Sequence, residues 1–271
     1  MIHLPVFAAA GHLDLPWLFE LIVHPSTAWL NGLWITIYAA IIAQVLGVVL
    51  GVLSALGGMA RNPVFRSASG IYVWIFRGTP VLVQISLLYF GTPYLLGIDL
   101  FPTVMHTGLI DLRGAIIAGI LALGVNEGAY MSEIVRAGIL SVDPGQTEAA
   151  KSLGMTYRLT MGRIVLPQAL RVIIPPLGNE FNNMLKTTSL LSIIAVEELY
   201  RVSSSIASAT FKYFEPLLAA AIYYLVLTTI WGVVQSRIER RLGAGTQRNE
   251  QPGVWARLLG MTRSRDGQGG R

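Results

Sequence analysis

The sequence predicts an all-α membrane protein with about five transmembrane helices and one polar helical hairpin between two of them. Hydrophobic residues make up 53% of the 271 residues and charged residues only 13%. The mean hydropathy is +0.58, which is too apolar for an ordinary soluble domain. Crossing a bilayer takes about 20 apolar residues in helical form. Four stretches reach or approach this length and a fifth is shorter, so a polytopic fold is expected.

Five spans are predicted from the apolar runs, at residues 33–59, 80–96, 114–135, 181–195 and 217–234. Thr79 and Pro80 suit the N-cap and the first helical position of the second span. The fourth span is the shortest, and it contains Lys186 and two asparagines. The run at 164–177 is also apolar, but prolines and Arg171 interrupt it. An interfacial or re-entrant segment is therefore expected there.

The positions of the basic residues predict which segments face the cytoplasm. Residues 1–60 contain no Lys or Arg, and neither do residues 91–112 between the second and third spans. The loop after the first span, the hairpin after the third and the C-terminal tail do contain them. This alternation fits the positive-inside rule for a plasma-membrane protein with its N-terminus outside and its C-terminus inside. It places residues 1–29 outside the cell, and the hairpin at 145–167 and a disordered basic tail at 241–271 in the cytoplasm.

The predicted cytoplasmic hairpin has a spaced pattern of residues. Residues 146–153 are expected to form a short helix that ends at Gly154 in a left-handed conformation, and Thr156 can cap a second helix. Glu148 supplies a charge, and two alanines give a thin face on which a partner's groove can close. The alternative is a hairpin that only links two spans. The residues of the pattern are Gly145, Gln146, Glu148, Ala149, Ala150, Leu153, Gly154, Ile164, Leu166 and Pro167.

Polar side chains inside the predicted spans mark a candidate polar path. A charge at membrane depth costs on the order of 3 kcal/mol on insertion scales, so it should face a cavity or a partner. Glu127 either lines such a path and senses a cationic group, or pairs with Lys186 or Arg77 and only holds helices together. Gln84 is either a cavity residue or an interhelical hydrogen-bond partner. The candidate path residues are Gln84, Asn126, Glu127, Lys186, Thr187, Thr188 and Ser189.

Several segments together resemble a known family. The hairpin pattern Glu-Ala-Ala, three residues, Gly, nine residues, Ile-x-Leu-Pro resembles the loop by which ABC-transporter permeases dock on their ATPase. The segments at 76–84, 128–139 and 185–190 resemble permeases for polar amino acids, the His/Glu/Gln/Arg/opine group. The resemblance covers roughly residues 30–240 and implies the transmembrane domain of a type I importer.

This resemblance implies a function and a set of partners. The chain would be the permease subunit of an ATP-driven importer for polar amino acids that works by alternating access. Its partners would be a cytoplasmic ABC ATPase dimer, a second permease chain in a homo- or heterodimer, and an extracytoplasmic solute-binding protein. The hairpin at 145–167 would couple the permease to the ATPase, and the lipid bilayer would surround the spans.

Composition and motifs argue against several other functions. The chain has no cysteine and only four histidines, and the histidines show no ligand spacing, so neither a metal nor a cofactor is expected. It lacks the phosphate-binding pattern G-x-x-x-x-G-K-[ST], so the ATPase should be a separate chain. The pI near 9.6 follows from the topology of the basic segments, so no nucleic acid partner is expected.

Other transport classes stay open beside this interpretation. The chain could be an ABC permease for a different solute, such as an opine, a compatible solute or methionine. An ion-driven secondary carrier is less favoured, because such carriers usually show internal repeats with broken helices and none is found here. A membrane-anchored scaffold would leave Glu127 and Lys186 without a purpose.

Overall fold

The computed structural model describes residues 13–102, 105–106 and 111–243, which form a set of packed helices and one short strand hairpin. The helices are α1 (Leu15–Val23), α2 (Thr27–Gly58), α3 (Pro63–Gly78), α4 (Val81–Leu96, with a π-helical stretch at Leu87–Gly91), α5 (Gly114–Leu140), α6 (Pro144–Ser152), α7 (Tyr157–Thr160), α8 (Leu166–Thr187), α9 (Leu199–Thr210) and α10 (Phe214–Arg241). Strands β1 (Met105–His106) and β2 (Asp111–Leu112) pair antiparallel, with Met105 opposite Leu112. Residues 1–12 of the predicted N-terminal segment, and the predicted tail beyond residue 243, lie outside the described residues.

Three of the described helices, α2, α5 and α10, are long and apolar enough to cross a membrane. They correspond to the predicted spans at 33–59, 114–135 and 217–234, and each extends beyond the predicted bounds at one or both ends. Helices α3 and α4 meet at a bend of 103°, and they count as a fourth candidate if the pair is one broken span. The described residues therefore contain three or four candidate spans, fewer than the number predicted.

The predicted fourth span, at 181–195, is not among these candidates. The sequence predicts a span at 181–195 and a separate interfacial or re-entrant segment at 164–177. Instead, α8 is one helix, Leu166–Thr187, that includes most of 164–177 and the start of 181–195. It is followed by a 3-10 helix at Thr188–Ile194, which ends at Ala195 in a left-handed conformation with φ 57°.

Packing explains why α8 continues through its two prolines. Pro175 and Pro176 remove two backbone donors and favour a break. Ala169 and Ile173, six and two residues before Pro175, are buried in a cluster with Val135 of α5. Helices in proteins are stabilised mainly by the packing of one face, and this packing outweighs the loss of the two donors. The apolar pattern alone contains no information about that contact.

The start of α4 also differs from the prediction. Thr79 is expected to cap this helix, but its hydroxyl donates to the carbonyl of Ile75 at 2.9 Å and so lies at the end of α3. Pro80 is the residue before α4, in an extended conformation, and it makes no side-chain cap hydrogen bond. The chain therefore turns sharply between α3 and α4, and a side-chain hydrogen bond closes the end of α3 but none caps the start of α4.

Helices α2 and α5 approach each other closely because glycines line their contact. A Cβ atom added at Gly51 would lie 2.2 Å from Cβ of Met131, and one added at Gly47 would lie 2.5 Å from Cγ of Glu127. The backbone of α2 therefore touches the side chains of α5, which only glycine permits at these positions. The core beside this contact includes Ala39, Ala43, Leu123, Leu191 and Ile194.

A second cluster joins α1, α2, α9 and α10, and a buried carboxylate lies at its edge. Glu198 is 0% exposed and caps α9, accepting hydrogen bonds from the backbone N–H groups of Tyr200 at 2.8 Å and Arg201 at 2.7 Å. The hydroxyl of Tyr224 donates to the same carboxylate at 2.9 Å. Burial raises the pKa of Glu198 to about 7. The cluster contains Leu18, Trp29, Leu199, Val202, Ala219 and Ala220.

Candidate functional site

The predicted hairpin is present as α6 and α7. Gly154 has φ 75°, which confirms the left-handed stop, and the N–H of Met155 donates back to the carbonyl of Ala150 at 3.0 Å. Thr156 accepts from the N–H of Leu159 at 3.4 Å, which confirms the predicted cap of the second helix. The first helix begins earlier than expected, because Asp143 accepts from the N–H of Gly145 at 2.7 Å and supplies an N-cap.

One face of the hairpin is exposed and carries both a charge and apolar side chains. Glu148 and Ala149 are exposed, as are Gly145 and Gln146. Leu153 is 83% exposed and Tyr157 is 71% exposed, so both side chains are available for contact with a partner. Ala150 is buried, so the expected thin face consists of Ala149 alone.

The hairpin connects the two helices that carry the polar candidates. It follows α5 and leads through a π-helical turn at Met161–Val165 into α8. Ile164 is half-buried within this turn, whereas Leu166 and Pro167 are exposed in the first turn of α8. The connection from Tyr157 into α8 is helical throughout.

A cavity of about 610 Å³ lies between α5 and α8. It brings together most of the predicted path residues, which come from α5, α8 and the 3-10 helix after α8. The predicted members in its lining are Asn126, Glu127, Lys186, Thr187 and Ser189. The lining also contains residues that were not predicted, among them Tyr130, Glu180 and Asn183. Glu180 was missed because it lies one residue before the predicted start of the fourth span, where an incorrect boundary excluded it.

Two predicted path residues do not line this cavity. Thr188 is 0% exposed, and its hydroxyl donates to the carbonyl of Leu185 at 2.8 Å. Gln84 is committed to the bend between α3 and α4, where its amide nitrogen donates to the carbonyl of Phe76 at 3.0 Å and to the hydroxyl of Thr79 at 2.8 Å. Of the two roles considered for Gln84, the structure therefore supports the hydrogen-bonding one.

Glu127 is the most buried ionisable side chain of the cavity. It is 6% exposed, and its Oε1 accepts a hydrogen bond of 3.0 Å from Nε2 of Gln44 in α2. Among the described residues it forms no ion pair with Lys186 or Arg77. Arg77 instead lies 3.8 Å from the carboxylate of Glu133. The interpretation of Glu127 as one half of a structural ion pair is therefore not supported.

The charge of the cavity is unbalanced. Two carboxylates, Glu127 and Glu180, and one ammonium group, Lys186, are in its lining, which amounts to one net negative charge when all three are ionised. Polar but uncharged groups from Asn183, Thr187 and neighbouring residues complete the lining. A charge removed from water needs a partner to be stable, so this cavity is suited to a ligand that carries more positive than negative charge.

Comparison with known proteins decides the family. The sequence profile of the family described as "Binding-protein-dependent transport system inner membrane component" matches residues 47–244. The chain belongs to this family. It is a membrane permease subunit of a transport system, and the resemblance to ABC-transporter permeases is confirmed. So is the expected all-α fold of a polytopic transmembrane domain. As an inner-membrane transport component with membrane-spanning helices, the permease is embedded in the cell membrane.

Individual relatives share much of the length of this permease. An arginine transport system permease protein, ArgU, of Corynebacterium glutamicum is 45% identical over 79% of this chain and 67% of its own length. An arginine transport system permease protein of Bacillus subtilis, ArtQ, is 35% identical over 79% of this chain and 91% of its own. GlnP of Rickettsia typhi, provisionally assigned to glutamine transport, is 37% identical over 79% and 92% of the two chains.

Solved structures confirm the fold of this permease. The structure of an amino acid ABC transporter with histidines matches at a TM-score of 0.74 and 37% identity, over 85% of this chain and 100% of that one. The inward-facing MetNI methionine ABC transporter matches at a TM-score of 0.64 over 86% and 99% of the two chains. The latter is only 16% identical, so it supports the shared fold alone.

Proposed function

We propose that this permease subunit forms the membrane path of an ATP-driven importer for polar amino acids, and that its cavity favours amino acids with a cationic side chain. The observation that carries this proposal is the cavity between α5 and α8, whose described lining contains two carboxylates, Glu127 and Glu180, and one ammonium group, that of Lys186.

The three charges match the three charged groups of a cationic amino acid. The ammonium of Lys186 suits the α-carboxylate of the substrate, and the two carboxylates suit its α-ammonium and its side-chain cation. Such a substrate carries one net positive charge, which offsets the net negative charge of the lining. A neutral amino acid such as glutamine would leave one carboxylate unpaired. Two relatives named for arginine agree with this choice, and the relative provisionally assigned to glutamine supplies the alternative.

The hairpin is the coupling element of the proposed importer. Its exposed face offers Glu148 as a charge and Leu153 and Tyr157 as apolar contacts. An ATPase groove that holds this face and moves on nucleotide binding would displace α6 and α7. Because the hairpin joins α5 and α8, the displacement would change the separation of the two helices that line the cavity. The ATPase is a separate chain, since this sequence lacks a phosphate-binding loop.

The remaining partners follow from the surface and the family. Helix α4 exposes large apolar side chains, with Tyr94 at 90% and Leu95 at 78%, and a second permease chain beside the cavity would enclose the path. An extracytoplasmic binding protein would deliver the substrate. The alternation of basic segments supports an N-terminus outside and a C-terminus in the cytoplasm, which puts α6 and α7 on the ATPase side.

Equilibrium binding of labelled arginine and glutamine to the permease–ATPase complex, without the binding protein, tests the proposed cavity. Glu127→Gln and Glu180→Gln should each weaken arginine binding by about ten- to a hundredfold, because each removes a charged partner worth roughly 1.5–3 kcal/mol. Glutamine binding should change much less. Glu20→Gln, at an exposed carboxylate of α1, is the control. Unchanged arginine binding in both cavity variants would overturn the cavity assignment, and preferential binding of glutamine would overturn the cationic preference.

A further inference from the structure

We propose that Gln44 is a positioning residue for substrate recognition, which holds the carboxylate of Glu127 in place for a cationic group without neutralising its charge. This inference rests on the proposed function, because it requires that Glu127 contacts the substrate. Gln44 does not line the cavity itself and acts through Glu127.

The position of Gln44 is exceptional within its helix. It is the only amide side chain between residues 33 and 59, a segment that contains no charged residue at all. Gln44 is 5% exposed, so its amide is removed from water and needs a hydrogen-bond partner. Its Nε2 finds that partner in Oε1 of Glu127 at 3.0 Å, across the contact between α2 and α5.

The stem of the Glu127 side chain is held by the same helix. Gly47 lies one turn after Gln44, and a Cβ atom added there would lie 2.5 Å from Cγ and 2.7 Å from Cβ of Glu127. The backbone of α2 therefore lies directly against this side chain. With its stem against Gly47 and one carboxylate oxygen bound by Gln44, Glu127 has little rotamer freedom left to lose when a ligand binds.

The chemical nature of Gln44 matters for the charge of Glu127 as much as its position does. An arginine or lysine at this distance would pair with Glu127 and cancel its charge, so a cationic ligand would have to compete with it. The amide of glutamine donates a hydrogen bond but carries no charge. When Glu127 is ionised, Gln44 therefore does not cancel its charge, and Lys186 of the same cavity or a bound cation can offset it.

The oxygen of the Gln44 amide indicates that this residue does more than stabilise the fold. Its Oε1 is buried and has no hydrogen-bond partner among the described residues. Buried acceptors without a partner are rare and unfavourable. An apolar side chain of similar length would avoid this penalty. A glutamine at position 44 is thus explained by what its nitrogen does for Glu127, and less well by the packing of α2.

A double-mutant cycle tests whether Gln44 acts through Glu127. Gln44→Met keeps the length of the side chain and removes the amide, and arginine binding to the permease–ATPase complex is measured for this variant, for Glu127→Gln and for the double variant. Gln44→Met should weaken arginine binding by about tenfold, the range for one hydrogen bond to a charged group. In the Glu127→Gln background it should have less than about a twofold effect, because coupled residues are not additive.

Controls separate this role from a structural one. Ser54→Ala removes another hydrogen bond between α2 and α5, which the hydroxyl of Ser132 donates to that of Ser54 at 3.0 Å. This change does not touch Glu127 and should leave arginine binding unchanged. Gln44→Leu serves as a second variant if Gln44→Met is not recovered in folded form. Equal effects of the Gln44 variant in both backgrounds, or no effect in the native background while Glu127→Gln weakens binding, would overturn this inference alone. Unchanged binding in Glu127→Gln would overturn the proposed function and this inference together.

Discussion

Asn126 of α5 donates a hydrogen bond of 3.0 Å to the side-chain oxygen of Gln84 in α4. The same Asn126 nitrogen also donates to the carbonyl of Phe76 in α3 at 2.9 Å. The bend between α3 and α4 is therefore tied to α5 at the residue next to Glu127. The shape of the bend and the position of the cavity carboxylate depend on each other.

The first prediction concerns this tie. Gln84→Leu should destabilise the protein by about 0.5–1.5 kcal/mol, because it removes hydrogen bonds to the half-buried residues Phe76 and Asn126 at the bend. Tryptophan fluorescence during thermal unfolding of the purified protein in detergent measures the change. Ser86→Ala, whose hydroxyl donates only to Leu82 within α4 at 2.9 Å, should have little effect. An unchanged unfolding temperature for Gln84→Leu would contradict a structural role.

The second prediction concerns the close contact of α2 and α5. Gly51→Ala should destabilise the protein by about 1–3 kcal/mol, the usual range for overpacking, because the new methyl group would meet Cβ of Met131 at 2.2 Å. Gly70→Ala in α3 is the matched control, since nothing lies within 4 Å of its added Cβ. The control should be neutral or slightly stabilising, because alanine favours a helix more than glycine does. Equal unfolding temperatures for the two variants would show that the helices are less tightly packed than described.

The third prediction concerns the exposed face of the hairpin, with Glu148, that we propose to dock on the ATPase. Glu148→Arg should abolish co-purification of the permease with its ATPase, because it reverses the charge of the exposed face of α6. Glu20→Arg makes the same change on an exposed residue of α1 and should leave the complex intact. Retention of the ATPase by the Glu148 variant would mean that this face is not the docking site.

The fourth prediction concerns pH. Burial raises the pKa of Glu198 to about 7 from its ordinary value of 4.5, so between these values the folded state holds a proton that the unfolded state has lost. Stability from this residue is therefore fully present below about pH 4.5 and falls as the pH rises through 7. Glu198→Gln should flatten that part of the dependence of unfolding temperature on pH. An identical slope in both proteins would contradict the assignment.

Local features of the hairpin were predictable because they depend on neighbours in the sequence. A glycine after a short polar helix predicts a left-handed stop, and Gly154 has that conformation. A threonine before a helix predicts a cap, and Thr156 provides it. The same reasoning was wrong at Thr79, where two helices compete for one residue and its hydroxyl closes the preceding helix.

The limits of prediction are clearest at α8 and in the cavity. The prolines of α8 indicate a break, and only the burial of residues such as Ile173 explains why there is none. Because a break was expected there, the predicted fourth span begins at residue 181, and Glu180 was left out of the candidate path residues. Gln44 was not selected because nothing local distinguishes an isolated glutamine in an apolar helix from a tolerated polar residue.

By itself the sequence determined the membrane class, the three most apolar helices, the hairpin with its stop at Gly154 and its cap at Thr156, and the family to which the chain belongs. These follow from composition, from periodic or local patterns, and from spaced motifs. Only the tertiary structure decided that Gln84 belongs to a bend, that Glu180 joins Glu127 and Lys186 in one cavity, and that Gln44 meets Glu127 across 83 positions of chain. Such contacts arise where helices pack, and the energy of that packing depends on residues that are distant in the sequence.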